Sequence, residues 1–356
     1  MTQSAIDQKE DLRTEIERAI QRNIKGLEYF KSPSPAVGAS PRDVIHQRGT
    51  LRLSHYRPMV EEVYRVPILF VMAPSNHGYF VDMVSGQSMI EFLLKAGFDV
   101  YMQDYVPPRP DEKYLRLNDY VLDFIPDCVS RVLKRSGQSE LTIISYCAGG
   151  VMGVCYAALH AKGPLKNLVC LTTPVNFHEM KLFSKWADRR YFDVDKFIDT
   201  VGNVRGEDFF AASAMLRPVS RAVDQIRLWD NMWNDEYVNA YRRLDKWVTD
   251  SLPMPGEYIR QVTKEFLWDN RLFKDELTLS GQPVRLKNIT VPFLHAVAEF
   301  DHITPRAATK PLIEMVGSED KQEIVLRGGH ISLAAGPNAS KRLWPILETW
   351  LGERSE

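Results

Sequence analysis

The sequence predicts an α/β fold, a mostly parallel sheet with helices on both faces and a helical insertion. Two observations carry this. Short apolar runs such as "VPILFVMAP" (Val66 to Pro74) and "LTIIS" (Leu141 to Ser145) alternate with segments of helical spacing, the rhythm of strand–helix–strand units that build parallel sheets. That rhythm stops near Asn176 and resumes near Ile289, which marks what lies between as an insertion.

The elements follow in order. Residues 9 to 25 place Leu12, Ile16, Ala19, Ile20 and Ile24 at helical spacing, so an amphipathic helix is expected, packed on the domain or on a partner. Ser32 to Val44 is rich in turn residues and reads as a loop. Val66 to Pro74 is the first buried strand. Ser88 to Ala96 is a helix ended by Gly97, and "FDVYMQD" (Phe98 to Asp104) the second strand. Asn118 or Asp119 caps a helix running to about Lys134. Leu141 to Ser145 is the third strand, Val151 to Ala161 a helix and Leu165 to Pro174 the fourth strand. The insertion is helical and aromatic, with Phe177, Phe183, Trp186, Phe209, Phe210, Trp229, Trp233, Trp247, Phe266 and Trp268; most of these tryptophans are expected to pack within it. Strand Ile289 to Ala298, a helix near Arg306 to Met315, strand Glu323 to Arg327 and a helix near Lys341 to Leu351 complete the chain. The expected organisation is an N-terminal helix and lead-in (1–65), a core (66–175 and 287–356) and a cap (176–286) over the carboxyl edge of the sheet, where open α/β folds place their sites.

Composition narrows the function classes. The chain has 356 residues with a formal charge of -1, which gives no reason to expect nucleic-acid binding. No apolar run reaches the ~18 residues that span a bilayer, and the polar N-terminus lacks the pattern of a secretory signal. Cys128, Cys147, Cys155 and Cys170 form no C-x-x-C pair, against a zinc site or a disulfide framework. No metal or organic cofactor is expected, and the expected location is cytoplasmic.

The chemistry is expected at "SYCAGG" (Ser145 to Gly150). Cys147 stands where a strand turns sharply into a helix, with small Ser145 and Gly149 two residues to either side. This is the spacing of a nucleophile elbow. The Ala148 amide opens the following helix, where an oxyanion donor belongs. The base and its orienting acid should follow on later strand ends, in the order nucleophile, acid, histidine, as in the α/β-hydrolase fold. Asp301 in "EFDH" and His330 in "GGHISL" meet that order. Glu299 is a weaker rival to Asp301, and His302 a residue that holds the loop or lies near the acid. Asp104 is expected to tie loops together. The loop "APSNHGYFVDM" (Ala73 to Met83) should supply the second oxyanion amide near Asn76 or His77. A cysteine nucleophile yields a thioester, nearly balanced in energy with an incoming thioester, so acyl transfer is favoured over hydrolysis.

These segments together resemble the polyhydroxyalkanoate synthases, in particular the short catalytic subunits of the two-subunit type, class III rather than class IV. "SYCAGG" is similar to the family's G-x-C-x-G-G box; "FDVYMQDYVPP", "RDVIHQRGTLRLSHYRP", the stretch from Gly256 into the acid loop and "GGHISL" resemble its further segments. The resemblance implies that Cys147 is acylated, that His330 is its general base and that Asp301 is the third member, assigned in the family to activating the hydroxyl of the incoming unit. It implies transfer of (R)-3-hydroxyacyl units from coenzyme A to a growing polyester, with the coenzyme A thioester as substrate, a second synthase subunit, an oligomer, and a place on the polyester granule surface. Ser145 replaces the box's first glycine, Tyr105 stands where the family has tryptophan, and the Ala73–Met83 loop is unusual. The alternatives are a thioesterase or polyester hydrolase with the same triad, and a non-catalytic granule-binding partner.

Overall fold

A computed structural model of the chain describes residues 3–208, 211, 215, 218–336 and 339–355; Phe209 and Phe210 of the aromatic insertion lie outside them. An eight-stranded sheet organises the fold, in the order β1 (Arg42–Arg48), β2 (Leu51–Tyr56), β4 (Val100–Tyr105), β3 (Ile68–Val71), β5 (Leu141–Tyr146), β6 (Leu165–Leu171), β9 (Phe293–Ala298) and β10 (Lys321–Leu326). From β4 to β10 all pairings are parallel, whereas β1–β2 and β2–β4 are antiparallel. A two-residue hairpin, β7 (Thr278–Leu279) with β8 (Gln282–Pro283), stands apart.

Successive residues of the central strands face opposite sides of the sheet. Leu69, Val71, Ile143 and Cys170 therefore join one core, and Ile68, Phe70, Ile144 and Val169 the other. The first core lies under α3 (Ile125–Ser136) and α4 (Ala148–Leu159), which bury Cys128, Val132, Met152 and Cys155. The second lies under α2 (Met89–Lys95) and α9 (Trp344–Gly352), through Met89, Leu93, Trp344 and Leu347. Strands flanked by helices on both faces carry no polar alternation, which is why the sequence shows them as plain apolar runs.

Several elements differ from the sequence reading. The N-terminal helix α1 is longer, Gln3–Lys31. The pair β1–β2 leaves no clear signal in the sequence: polar residues in the "RDVIHQR" edge strand hide its period. The predicted helix from Asn118 begins after Arg116, whose amide donates to the Asp119 carboxylate at 2.6 Å. Asp119 therefore acts from inside the first turn rather than as the cap residue. The insertion holds α5 (Val194–Val201), α6 (Pro218–Asp230), α7 (Asp235–Thr249) and α8 (Gly256–Val262). Its last part turns inward: Met254, Tyr258, Phe266, Leu277 and Leu286 belong to the core beneath α4.

Among the described residues no helix is long and apolar enough to cross a membrane, and no group of three or more His, Cys, Asp or Glu could hold a metal ion.

Candidate active site

The site is built from three loops at the carboxyl ends of β5, β9 and β10. At the end of β5 the chain turns into α4 through Cys147, held at φ 53° and ψ -116°. That left-handed φ is unfavourable for a residue with a β-carbon. It is sustained by the backbone around it: the Cys147 amide donates to the Leu171 carbonyl at 2.9 Å, and the Cys147 carbonyl accepts from Val151 at 3.2 Å. The small residues of the box have separate reasons. A β-carbon on Gly149 would overlap the Val71 carbonyl at the end of β3, and one on Gly150 would overlap the Thr173 side chain. Ser145 is buried and donates to the Val169 carbonyl at 3.2 Å.

His330 follows Gly328 and Gly329 at the start of a short helical turn, His330–Leu333. Gly328 has φ 155°, and a β-carbon there would overlap Ser332, so the loop that aims His330 requires glycine. The ring is buried. Its Nδ1 lies 2.6 Å from Asp301 Oδ2 and 3.2 Å from Thr304 Oγ1, and Cys147 is near enough to act on its ionisation. The Tyr146 hydroxyl donates to the His330 carbonyl at 2.5 Å, and the two rings meet edge to face. Burial works to lower the His330 pKa. The charge of Cys147 and the bond to Asp301 outweigh it and push the pKa up to about 10.

The Asp301 carboxylate accepts from the amides of Ile303 and Thr304, each at 2.8 Å, and from the Thr304 hydroxyl at 2.8 Å. Burial opposes its ionisation, but these donors and His330 hold its pKa below the usual value. The structure brings Cys147, His330 and Asp301 together at the carboxyl edge of the sheet, an arrangement that would suit a nucleophile, a base and an orienting acid. Glu299 is exposed and two residues away from that carboxylate. His302 is exposed beside Asp301. Cys128, Cys155 and Cys170 are fully buried, and burial raises the pKa of each.

Ala148 is the first residue of α4, so its amide sits at the positive end of a helix. The start of the Ala73–Met83 loop packs directly against the elbow, because Gly149 lies on the Val71–Ala73 backbone. Asn76 and His77 come next in the chain. The Asn76 side chain meets Ser75 and Ser251. His77 stacks on Tyr79 and accepts from Trp247 Nε1 at its carbonyl, 3.3 Å. Burial lowers the His77 pKa, against the pull of Asp104 and Asp250. Asp104 ties the loops: it accepts from the Gly78 amide at 3.1 Å, from the Tyr105 amide at 2.8 Å and from Arg52 at 2.8 Å.

Three further residues of the site were missed in the sequence. Thr304 offers only its position, three residues after Asp301, an Asx-type spacing that serves as a signal in hindsight. Tyr146 sits in the box itself but reads as strand filler. Trp247 stacks on Phe80 of the core at 4.4 Å instead of packing within the insertion, and its helical spacing gives no hint of this.

Comparisons with known proteins agree with this architecture. The family model for the alpha/beta hydrolase fold matches residues 75–337. The poly(3-hydroxyalkanoate) polymerase subunit of Allochromatium vinosum is 33% identical, over 89% of this chain and 90% of its own length. That of Synechocystis is 30% identical, over 93% and 89%. That of Haloferax mediterranei is 35% identical over 90% of this chain, which spans 65% of that relative's length. Among solved structures, a carboxylesterase of Nitrososphaera gargenis (16% identity, 88% of this chain, 98% of its own, TM-score 0.50) and a hydrolase of Pseudomonas aeruginosa (14%, 87%, 98%, TM-score 0.50) share the fold.

Proposed function

The chain belongs to the family of poly(3-hydroxyalkanoate) polymerases, and on that premise we propose that it polymerises (R)-3-hydroxyacyl units from coenzyme A thioesters through a covalent thioester on Cys147. The observation that carries this reading is the cysteine at a strained elbow beside His330, whose Nδ1 meets Asp301 at 2.6 Å.

His330 takes the thiol proton and holds it as imidazolium, paired with Asp301. Cys147 Sγ attacks the substrate carbonyl, and its oxygen becomes the oxyanion, met by the Ala148 amide and by an amide near Asn76 or His77. The carbon–sulfur bond to coenzyme A breaks, and the leaving thiolate takes the proton from His330. A hydroxyl from a second hydroxyacyl unit or the growing chain then attacks the acyl-enzyme, with neutral His330 accepting its proton. One ester bond forms and Cys147 is freed. Asp301 is fully engaged with His330, Thr304 and Ile303, which favours an orienting role over direct activation of the hydroxyl. This scheme uses the chain's own residues and the substrate thioester, with no added cofactor.

A second subunit belongs to this reading. Leu12, Ile16, Ile20, Ile24 and Leu27 of α1 are all exposed, a one-sided apolar stripe of the kind that pairs with another helix; it is the proposed contact. An oligomer, a cytoplasmic location and the surface of the polyester granule are the expected setting.

Coenzyme A release from (R)-3-hydroxybutyryl-coenzyme A tests the function, with and without a candidate second subunit. The expected result is release with insoluble polyester, abolished in Cys147→Ala. Release with only free hydroxy acid would replace this reading by the thioesterase alternative.

A further inference from the structure

The Ala73–Met83 loop is held from two directions. From Gly78 onward the core grips it. Asp104 takes the Gly78 amide. Buried Asp82 accepts from the Ser40 amide and from the hydroxyls of Ser40 and Ser88, the hydroxyls at 2.7 Å. The stretch before Gly78 is gripped by the end of α7 and the residues after it. The Leu252 amide donates to the Ser75 carbonyl at 2.8 Å, Asn76 Nδ2 reaches Ser251 Oγ at 3.5 Å, and Trp247 Nε1 donates to the His77 carbonyl at 3.3 Å. Trp247 also stacks on Phe80, and Asp250 accepts from the Tyr79 hydroxyl at 2.9 Å and from Lys246 at 2.6 Å.

The amides of Asn76 and His77 are the candidates for the second oxyanion donor. The Leu252 amide holds the peptide unit that carries the Asn76 N–H, and Trp247 holds the His77–Gly78 unit that follows the His77 N–H, so both candidates sit between points tied to the insertion. An oxyanion donor works only when its N–H is already aimed at the developing charge, and a misplacement of ~1 Å costs about a hundredfold. We propose that Trp247 and Asp250 are positioning residues: the helical insertion aims the oxyanion loop, so that an open insertion leaves a competent thiol beside an incomplete oxyanion hole. This rests on the oxyanion role assigned to the loop in the reading above.

Two readouts separate aim from general damage. The burst of 4-nitrophenolate from 4-nitrophenyl butyrate requires both Cys147 and an oxyanion hole. Alkylation of Cys147 by iodoacetamide requires the activated thiol but forms no oxyanion. Trp247→Phe keeps the stack on Phe80 and removes the indole N–H. Its burst rate constant is expected to fall about tenfold, with ester affinity and alkylation rate unchanged. Asp250→Ala and Tyr79→Phe should give similar losses, the double variant no more than either, and Asp250→Asn, which keeps an acceptor, should restore the rate. An unchanged burst in all variants, or a burst and an alkylation rate that fall together, would overturn the proposal. A wild-type chain that alkylates but gives no burst would overturn the oxyanion assignment beneath it. A normal burst without coenzyme A release would sink the polymerase reading alone.

Discussion

At Cys147 the backbone adopts a conformation that costs ~1–3 kcal/mol for a residue with a β-carbon, and the pairing with His330 gives the strain its use. The histidine's pKa of about 10 has the Cys147 charge as its leading upward cause. Cys147→Ala should therefore lower the His330 pKa, read from its imidazole resonances by NMR. Thr304→Val removes partners of both Asp301 and His330, and is expected to lower acylation about tenfold. Asp301→Asn keeps the shape but not the charge and should lower it about ten-thousandfold; both are read as burst rates.

His295 shows the opposite electrostatics. It is fully buried on β9, neither ring nitrogen has a hydrogen-bond partner among the described residues, and burial holds its pKa down at about 3. In the unfolded chain an imidazole titrates near ~6.5. The native state thus binds fewer protons between those values, and stability present above about pH 6.5 is lost as pH falls toward 3, at up to ~1.4 kcal/mol per pH unit. His330 runs the other way: its raised pKa contributes stability that is present below about pH 6.5 and is lost as pH rises toward 10. Urea midpoints of wild type and His295→Leu at pH 7 and pH 5 should show the smaller acid loss in the variant. An equal loss in both would mean that the buried imidazole does not drive acid sensitivity.

At the scale of elements, the elbow is a three-body fit of β3, β5 and α4. Gly149 lets α4 start directly on the Val71–Ala73 backbone, which brings the turn at Cys147 and the Ala73–Met83 loop together. Gly149→Ala must displace main chain rather than a flexible side chain, so overpacking of ~1–3 kcal/mol is expected in denaturant unfolding, with a slower burst because α4 shifts away from the loop. A stable variant with a normal burst would show that the close approach is unnecessary. The box was legible in the sequence because small residues at fixed spacing are demanded locally. The grip of Trp247 on His77 was not, because the two residues are 170 positions apart and nothing in the periodicity of α7 distinguishes Trp247 from a tryptophan packed within the insertion.

Across the whole molecule the exposed apolar stripe of α1 stands out. The helix touches the body through Arg18 over Trp233, Arg22 over Trp229 and Lys25 with Asp235, leaving Ile16, Ile20 and Ile24 at the surface. Ile20→Glu with Ile24→Glu should abolish association with a second subunit or a second copy, as read by sedimentation. Cys147 alkylation should stay at the wild-type rate, because the substituted side chains are exposed in the single chain.

The apolar strands, their alternation with helices, the tight strand-to-helix turn at Cys147 and the chain order of Cys147, Asp301 and His330 on successive strand ends follow from the sequence alone, because each is set by local spacing or by chain order. The edge pair β1–β2, the partnership of Thr304 with Asp301 and His330, the burial of His295 and the hold of the insertion on the Ala73–Met83 loop were decided by the tertiary structure. Each depends on contacts between distant segments, and such contacts leave no period and no spacing in the chain.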